Sequence, residues 1–215
     1  LTAGYVRFAG TSMAAPAAAG AAGLLADLYA ASRGGATPSA ALLRALLIFG
    51  AESPHGEGRP DHTFGHGMLR VDRSAAPLRA QAAGDGTTVV EGVHTRRSRA
   101  ASFSVTPTGD EPLVLTLAWT DPPGDPSGSE PDDPTPALVH DLDLSVRAPD
   151  GTTYYPWRLN PEDPLGPALR DDENERDNVE RLVIAGPFDG TTTYEVFVRR
   201  NGTRFSGRRE AWPRV

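Results

Sequence analysis

The chain has 215 residues, of which 39% are hydrophobic and 23% are charged, and its formal net charge is −7. This composition is typical of a globular chain and argues against a mainly disordered one. The absence of cysteine excludes a disulfide framework, a zinc–thiolate site and a thiol nucleophile. No apolar run comes close to the roughly 20 residues that cross a bilayer, so we predict no membrane partner.

The charge is distributed unevenly, and all 21 basic residues are Arg. Residues 1–109 carry 10 Arg and 7 acidic residues, residues 110–195 carry 5 and 20, and residues 196–215 carry 6 and 1. The acidic middle opposes binding to phosphate backbones, so we predict no nucleic-acid partner. Because the chain begins with Leu1 and not with Met, we expect a processed or excised piece of a longer protein.

Residues 1–79 have a helical pattern and form the first predicted domain. The apolar spacing predicts a helix over residues 14–31 that ends at two glycines. Small Ala and Gly residues occupy its other faces, which suits a helix buried inside a larger domain. A second helix is predicted over residues 37–49, with Thr37 as its N-cap and Pro38 in its first turn. A loop rich in Gly and Pro follows. Two such apolar helices cannot bury each other alone, so we expect a missing partner.

Residues 80–215 have a β pattern and form the second predicted domain. Short segments with alternating polar and apolar residues lie at 102–106, 113–120, 141–146 and 194–199, and an apolar run lies at 182–184. Turn sequences rich in Pro, Gly and Asp separate these segments, which predicts an antiparallel sandwich. Residues 121–136 contain six prolines and are predicted to be a long loop between two strands.

The heptapeptide from Gly10 to Pro16, Gly-Thr-Ser-Met-Ala-Ala-Pro, is the most informative stretch of the sequence. Ser12 lies just ahead of the Ala-rich helix, where free amides and the helix dipole stabilise developing negative charge. Pro16 lacks an N–H and therefore belongs to the opening turn. On these grounds alone, a structural N-cap explains Ser12 better than a nucleophile does.

This heptapeptide resembles the nucleophile motif of the subtilisin-like serine proteases (subtilases, peptidase family S8). The order that follows is similar too: a long helix, a helix started by Pro, and a Gly-x-Gly turn with a closing segment at residues 64–72. The resemblance implies that residues 1–79 are the C-terminal segment of an α/β subtilisin-like catalytic domain. It implies that Ser12 is the acylating nucleophile of a secreted bacterial endopeptidase, acting on protein or peptide substrates.

The other catalytic groups of that family have no counterpart in the sequence. In subtilases the catalytic Asp and His and the oxyanion Asn all precede the Ser. The five histidines here follow Ser12 in unsuitable contexts, and they are His55, His62, His66, His94 and His140. We therefore predict that this chain alone is inactive and that its partner is the missing N-terminal part of its own catalytic domain. The alternative is a non-catalytic binding or stability module, in which Ser12 is only a helix N-cap.

Two acidic segments of the second domain form a candidate metal site. Asp141 and Asp143 lie on one face of a predicted strand, and a second acidic cluster runs from Asp171 to Glu180. Oxygen donors without His or Cys suit Ca²⁺ better than they suit transition metals. From charge alone, a solvated acidic edge explains these residues equally well.

Three motifs, at residues 119–123, 140–144 and 177–180, resemble in this order the C-terminal domain of KP-43-type bacterial subtilases. The resemblance implies an all-β antiparallel jelly-roll sandwich that packs on the catalytic domain, binds calcium and supports its stability. The implied calcium ligands are Asp141, Asp143, Asp177, Asn178 and Glu180. The Arg-rich end, residues 201–215, lacks the apolar closing strand that we expect in such a sandwich.

Overall fold

The computed structural model describes residues 7–85, 89–95, 100–124 and 135–201. Most of the proline-rich loop and all but the first residue of the Arg-rich end lie outside these ranges. The helices are α1 (Thr11–Ser32), α2 (Ala40–Gly50) and α3 (Val71–Ala83). The strands are β1 (Ala100–Val105), β2 (Thr108–Gly109), β3 (Leu113–Ala118), β4 (Asp141–Arg147), β5 (Thr153–Tyr154), β6 (Val179–Ile184), β7 (Phe188–Asp189) and β8 (Tyr194–Asn201).

Helix α1 begins earlier than predicted and ends where the sequence indicates. It begins at Thr11 rather than at residue 14, after an N-cap Gly10 whose φ of 146° favours glycine. Gly34 and Gly35 both have positive φ, and the Gly35 amide donates to the Ala30 carbonyl at 2.8 Å. The glycine pair thus satisfies a carbonyl of the last turn and stops the helix.

Helix α2 begins later than predicted because its N-cap is Ser39 and not Thr37. Ser39 has an extended backbone, and its hydroxyl accepts a hydrogen bond from the Leu42 amide at 3.1 Å. Pro38 consequently precedes the cap instead of lying in the first turn. Ser and Thr both cap helices, and the sequence pattern did not show which of the two would accept the bond.

Helix α3 is absent from the sequence-based prediction, which treats the residues after the Gly-x-Gly turn as a short closing segment. It contains Pro77, a residue that normally interrupts a helix. Tertiary packing compensates, since Ala75 and Leu78 join a buried core with Leu25 of α1 and Leu46 of α2. The helix runs across residue 80, so the division into domains 1–79 and 80–215 stays a prediction.

Gly50, the last residue of α2, lies against α3. A Cβ at this buried position would overlap the hydroxyl oxygen and the amide nitrogen of Ser74 and lie 2.7 Å from the Arg70 carbonyl oxygen. The position has no room for a side chain. Gly50 ends α2, and its lack of a side chain also allows two helices to approach closely.

We expect Gly50→Ala to destabilise the chain by about 1–3 kcal/mol, the usual cost of overpacking a core. The control is Gly23→Ala in α1, where no atom lies within 4 Å of the added Cβ. There the higher helix propensity of Ala should raise stability by up to about 1 kcal/mol. Urea unfolding of both variants measures the difference, and effects of the same sign would contradict the close packing at Gly50.

By length and composition, the 22-residue helix α1 is apolar enough to cross a membrane, and no other helix of the described ranges is. The prediction that no apolar run is long enough is therefore wrong by this criterion. The core helix of a soluble protein passes the same test, and α1 contains Pro16 and Asp27. The expected absence of a membrane partner stays a prediction.

The strands pair antiparallel, as predicted. One sheet has the order β1-β8-β4-β5, while β3 pairs with β6 and β2 pairs with β7. Strands β1, β3, β4 and β8 overlap the alternating segments of the sequence, and β6 contains the apolar run at 182–184. Strands β2, β5 and β7 have two residues each, too few to produce a pattern of alternation.

The described elements form three layers, with the β3–β6 pair in the middle. On its inner face, Leu115 and Leu182 lie opposite each other and pack with Leu144, Val146 and Val198 of the four-stranded sheet. The other face of the pair lies against α2. We call the four-stranded sheet and the β3–β6 pair together the sandwich. The face of the β3–β6 pair that points away from the four-stranded sheet is therefore covered by α2.

Candidate functional site

Ser12 lies in the first turn of α1 and is exposed to solvent. The amides of Met13 and Ala14 donate to the Gly10 carbonyl at 3.0 and 3.2 Å. The amides of Thr11 and Ser12 precede these and point out of the helix, where an external acceptor can bind them. The N-cap is Gly10, without a side-chain cap, so Ser12 is not the N-cap. A hydroxyl beside free amides at the positive end of a helix can stabilise an oxyanion.

The histidines with described contacts are engaged away from Ser12. His55 pairs with Asp61 in the loop after α2, and His140 Nδ1 lies 3.1 Å from Asp121 Oδ1. His66 lies in the Gly-x-Gly turn, where burial and the charge of Arg181 lower its pKa. Within the described ranges, the Ser12 hydroxyl has no hydrogen-bond partner. Ser12 therefore has no general base among these residues.

The second candidate site consists of three acidic side chains on β4 and β6 whose charges act on one another. Asp141 and Asp143 lie on the polar face of β4, opposite Asn201 and Arg199 of β8. Glu180 of β6 is 0% exposed, and its Oε2 accepts a hydrogen bond from the Leu144 amide at 2.5 Å. We call Asp141, Asp143 and Glu180 the carboxylate cluster. Glu180 belongs to β6 in the middle layer, whereas Asp141 and Asp143 lie on the part of β4 that does not pair with β5.

Several oxygen atoms of the carboxylate cluster are buried and receive no hydrogen bond from the protein. Asp143 is only 4% exposed, and Oδ1 of both aspartates and Oε1 of Glu180 are buried without a hydrogen-bond partner. Burial and then the charges of Glu175 and Glu173 raise the pKa of Asp141 to about 6. Burial and the charge of Asp141 raise the pKa of Asp143 to about 7, and burial raises the pKa of Glu180 to about 9.

The oxygen donors of the cluster fit a hard cation such as Ca²⁺ in charge and chemistry. In the described part of the chain, however, no three His, Cys, Asp or Glu side chains are grouped so that they could hold a metal ion. The carboxyl groups would have to draw closer together around a bound ion. The orphaned oxygens are the observation in favour of such a ligand, since buried polar atoms are nearly always paired.

Asp177 and Asn178, the other two predicted ligands, have protein partners outside the cluster. Asp177 Oδ2 accepts a hydrogen bond from Asn174 at 3.1 Å. Asn178 accepts one from Arg44 of α2 at 2.6 Å and donates one to the Trp119 carbonyl at 3.1 Å. The acidic groups whose charges act on the cluster are instead Glu173 and Glu175. The sequence spacing gave no means of separating them from Asp177.

The first two of the three motifs in the sandwich close a loop. Trp119 Nε1 donates to the His140 carbonyl at 2.9 Å. Asp121 accepts hydrogen bonds from the amides of Val139 and His140 at 2.7 and 2.8 Å. These bonds hold together the two ends of the proline-rich segment and bring residue 141 to the cluster. Asp121 was not among the predicted site residues, and its place two residues after Trp119, in the first motif, was the available signal.

The N-terminal stretch that holds Ser12 is similar to a known family. Residues 1–67 match the subtilase family. The match spans the Ser12 motif, α1, α2 and the loop up to Gly67, and it supports a serine protease family origin for this part of the chain. The sandwich lies beyond the matched residues. Among curated proteins, none matches the chain.

Hydrogen bonds join this subtilase segment to the sandwich. Arg181 of β6 is 6% exposed, and its guanidinium donates to the carbonyls of Ala51 and Phe49 at 3.1 and 3.3 Å. These carbonyls belong to the C-terminal end of α2, where the helix dipole favours a cation. Trp157 Nε1 donates to the Glu57 carbonyl at 3.1 Å. Sequence analysis missed Arg181, although an Arg inside an apolar strand is a visible signal.

The connection between the subtilase segment and the sandwich is also fixed to the helices. The Glu91 carboxylate accepts hydrogen bonds from Tyr29 at 2.7 Å and from Ser39 at 3.0 Å. Val89 is buried in the helical core, and its amide donates to Gln81 at 3.0 Å. The chain between the two parts is thus packed against α1, α2 and α3 at these residues.

Proposed function

We propose that the chain is the C-terminal portion of a serine endopeptidase of subtilisin type, with Ser12 as the acylating nucleophile. The observation that supports this most is the Ser12 motif at the amino end of α1, inside the stretch that matches the subtilase family. In the proposed reaction the Ser12 oxygen attacks the scissile carbonyl of a peptide. The backbone amide of Ser12 then donates to the oxyanion, and the hydroxyl proton passes to a base.

The base has to come from a segment outside this chain, which is the proposed partner. Apolar side chains on α1 are exposed to solvent, which supports this proposal. Leu24 is 64% exposed and Met13 is 45% exposed, whereas Leu25 on the neighbouring face is 1% exposed. One face of the helix packs on α2 and α3, and the others are free to contact the N-terminal part of a catalytic domain.

A fluorophosphonate probe tests the role of Ser12, since it labels only serines that are activated by a base. The chain alone should not react. A protein that carries the upstream catalytic segment as well should be labelled, and Ser12→Ala should abolish the label. Ser32→Ala, at the other end of α1, is the matched control and should leave it unchanged. Labelling of the Ser12→Ala protein would contradict the assignment.

The alternative function is a non-catalytic binding or stability module with a structural Ser12. In that case upstream Asp and His motifs would be absent, and the probe would not react with any form of the protein. This alternative requires Ser12 to cap the helix. Since Gly10 is the N-cap of α1, the described contacts give Ser12 no structural role, which favours the enzyme.

For residues 80–215 we propose a jelly-roll sandwich of the KP-43 type that binds calcium and stabilises the catalytic domain. The support is the carboxylate cluster with its buried, unpartnered oxygens. Asp141, Asp143 and Glu180 are the proposed ligands; the inclusion of Asp177 and Asn178 would require them to leave their present partners. Secretion is proposed as well, because subtilases are commonly secreted.

We expect calcium to raise the melting temperature of the chain and a chelator to reverse the effect. A ligand that binds only the folded state at about 100 times its dissociation constant stabilises it by roughly 2.7 kcal/mol. Asp143→Asn should remove most of this response, whereas the exposed Asp163→Asn should retain it. Differential scanning calorimetry measures the shift. A melting temperature that is the same with calcium and with chelator would refute the metal site.

A further inference from the structure

We propose that the contact between the sandwich and the loop between α2 and α3 is sensitive to acid, and that His66 is the group that responds. We call residues 51–70 the α2–α3 loop. Protonation of His66 would place a second cation in a contact built around the buried guanidinium of Arg181, and the loop would loosen from the sandwich. This response goes beyond the proposed protease activity, since neither Ser12 nor a bound cation takes part in it.

Arg181 lies at the centre of this contact and brings a buried positive charge into it. It is 6% exposed and donates to the carbonyls of Ala51 and Phe49 at 3.1 and 3.3 Å. Gly58 of the loop packs on the guanidinium, since a Cβ there would lie 2.9 Å from Arg181 Cζ. None of the ion pairs within the described ranges includes Arg181, and burial and the charge of Arg73 lower its pKa. In this part of the chain, backbone carbonyls and not a carboxylate therefore compensate the charge.

His66 of the α2–α3 loop faces the same contact. The two side-chain charges that act on its pKa both belong to the sandwich, namely Arg181 of β6 and Asp177 just before β6. Its Nδ1 is buried and has no hydrogen-bond partner among the residues that the structure describes. In a charged imidazole both nitrogens carry a proton, so Nδ1 would be a buried donor without an acceptor. Protonation would therefore be costly as long as the loop stays in contact with the sandwich.

Other charged groups around the loop have partners of their own. Glu52 pairs with Arg70 and with Arg73 of α3, at 2.7 and 3.3 Å, and His55 pairs with Asp61. On the sandwich side, Asp177 accepts a hydrogen bond from Asn174 at 3.1 Å. The remaining charged side chains of the loop are Glu57, Arg59 and His62. Of all these groups, only Asp177 favours a proton on His66, and its influence is weaker than that of burial and of Arg181.

The direction of the response follows from the pKa of His66, which burial and then the charge of Arg181 lower from the ordinary value of about 6.5. When the loop leaves the sandwich, the imidazole regains water and its ordinary pKa. Below pH 6.5 the docked loop consequently binds fewer protons than the free loop, and acid favours the free loop. One such proton changes the equilibrium by up to about tenfold per pH unit, until the pH reaches the pKa of the docked His66.

Urea unfolding of the full chain between pH 7 and pH 5 tests the proposal with His66→Gln, whose side chain stays polar but cannot ionise. The ratio of the unfolding constants, wild type over His66→Gln, should rise by up to about tenfold per pH unit below pH 6.5. The carboxylate cluster contributes equally to both proteins and cancels in this ratio. His62→Gln, exposed in the same loop, is the matched control and should follow the wild type. A ratio for His66→Gln that does not change with pH would refute the proposal.

Titration of the His66 imidazole by NMR is the second measurement, and it needs no variant. The midpoint in the folded wild-type protein should lie below the midpoint in the urea-denatured protein, and equal midpoints would overturn the proposal. In Arg181→Met the midpoint should move towards the denatured value, because only burial still lowers it, whereas Arg181→Lys should keep it low. An unchanged midpoint in Arg181→Met would contradict the role of the buried cation, and the proposal would fail on that ground.

Discussion

Ser12→Ala is expected to lower kcat about a million-fold in a protein that joins this chain to a segment with the catalytic Asp, His and Asn. The hydroxyl is the group that we propose forms the acyl intermediate, and water would have to replace it when Ser12 is absent. The amides at the start of α1 remain in the variant. They should leave a residual rate about 10³–10⁴ times that of water alone.

Peptide hydrolysis by the joined protein, its Ser12→Ala variant and the 215-residue chain measures the three rates. The chain itself should show no hydrolysis, because the Ser12 hydroxyl has no base within the described ranges. Ser32→Ala, whose hydroxyl donates to the Tyr29 carbonyl, should retain full activity in the joined protein. A rate in the chain alone that vanishes on Ser12→Ala would show that a base is present after all.

The parts of the fold that sequence analysis predicted correctly are those in which a local period repeats. The alternation of Leu142, Leu144 and Val146 with polar residues placed β4 and its two faces correctly. The Ala- and Leu-rich run predicted α1, and the Gly34–Gly35 pair predicted its end. These signals depend on a few neighbouring residues, and tertiary contacts reinforce them.

The features that sequence analysis missed depend on contacts between distant segments. Helix α3 forms in spite of Pro77 because its apolar face completes the helical core. The amide of Asn178 accepts a hydrogen bond from Arg44 and donates one to the Trp119 carbonyl, and its predicted role as a metal ligand stays a prediction. Arg181 has its partners more than a hundred residues earlier in the chain. No spacing rule connects residues so far apart, and only the fold shows which donor meets which acceptor.

The prediction of Ser12 and that of the carboxylate cluster differ in how much of their evidence is local. The Ser12 motif is contiguous, so seven residues were enough to suggest a nucleophile beside free amides. The cluster around Glu180 is assembled from β4 and β6, with Glu173 and Glu175 contributing charge from the loop between them. Its acidic character was visible in the sequence, but the choice among nearby acids was not.

In the presence of a chelator, the stability of the chain is expected to fall as the pH rises from 5 to 9. Carboxyl groups in an unfolded chain have pKa values of about 4. Because the folded-state pKa values are about 6 for Asp141, about 7 for Asp143 and about 9 for Glu180, the folded protein binds more protons in this range. Each retained proton lowers the free energy of unfolding by up to about 1.4 kcal/mol per pH unit of increase.

The loss should be steepest below pH 6, where all three groups contribute, and above pH 7 only Glu180 should still contribute. Calcium should reverse the trend, because a cation stabilises the ionised carboxylates and competes with protons. Its effect on the melting temperature should therefore be larger at pH 8 than at pH 5. Chelator and calcium melts across the pH range measure both slopes.

Glu180→Gln isolates the contribution of the most buried group. The Gln carbonyl can still accept the Leu144 hydrogen bond, but the side chain cannot ionise. We expect the variant to lose the decline between pH 7 and 9 in chelator and most of the calcium response at pH 8. Glu195→Gln, exposed on β8, should retain both. A decline above pH 7 that persists in Glu180→Gln would mean that another group carries it, and Glu180 would then have no part in the site.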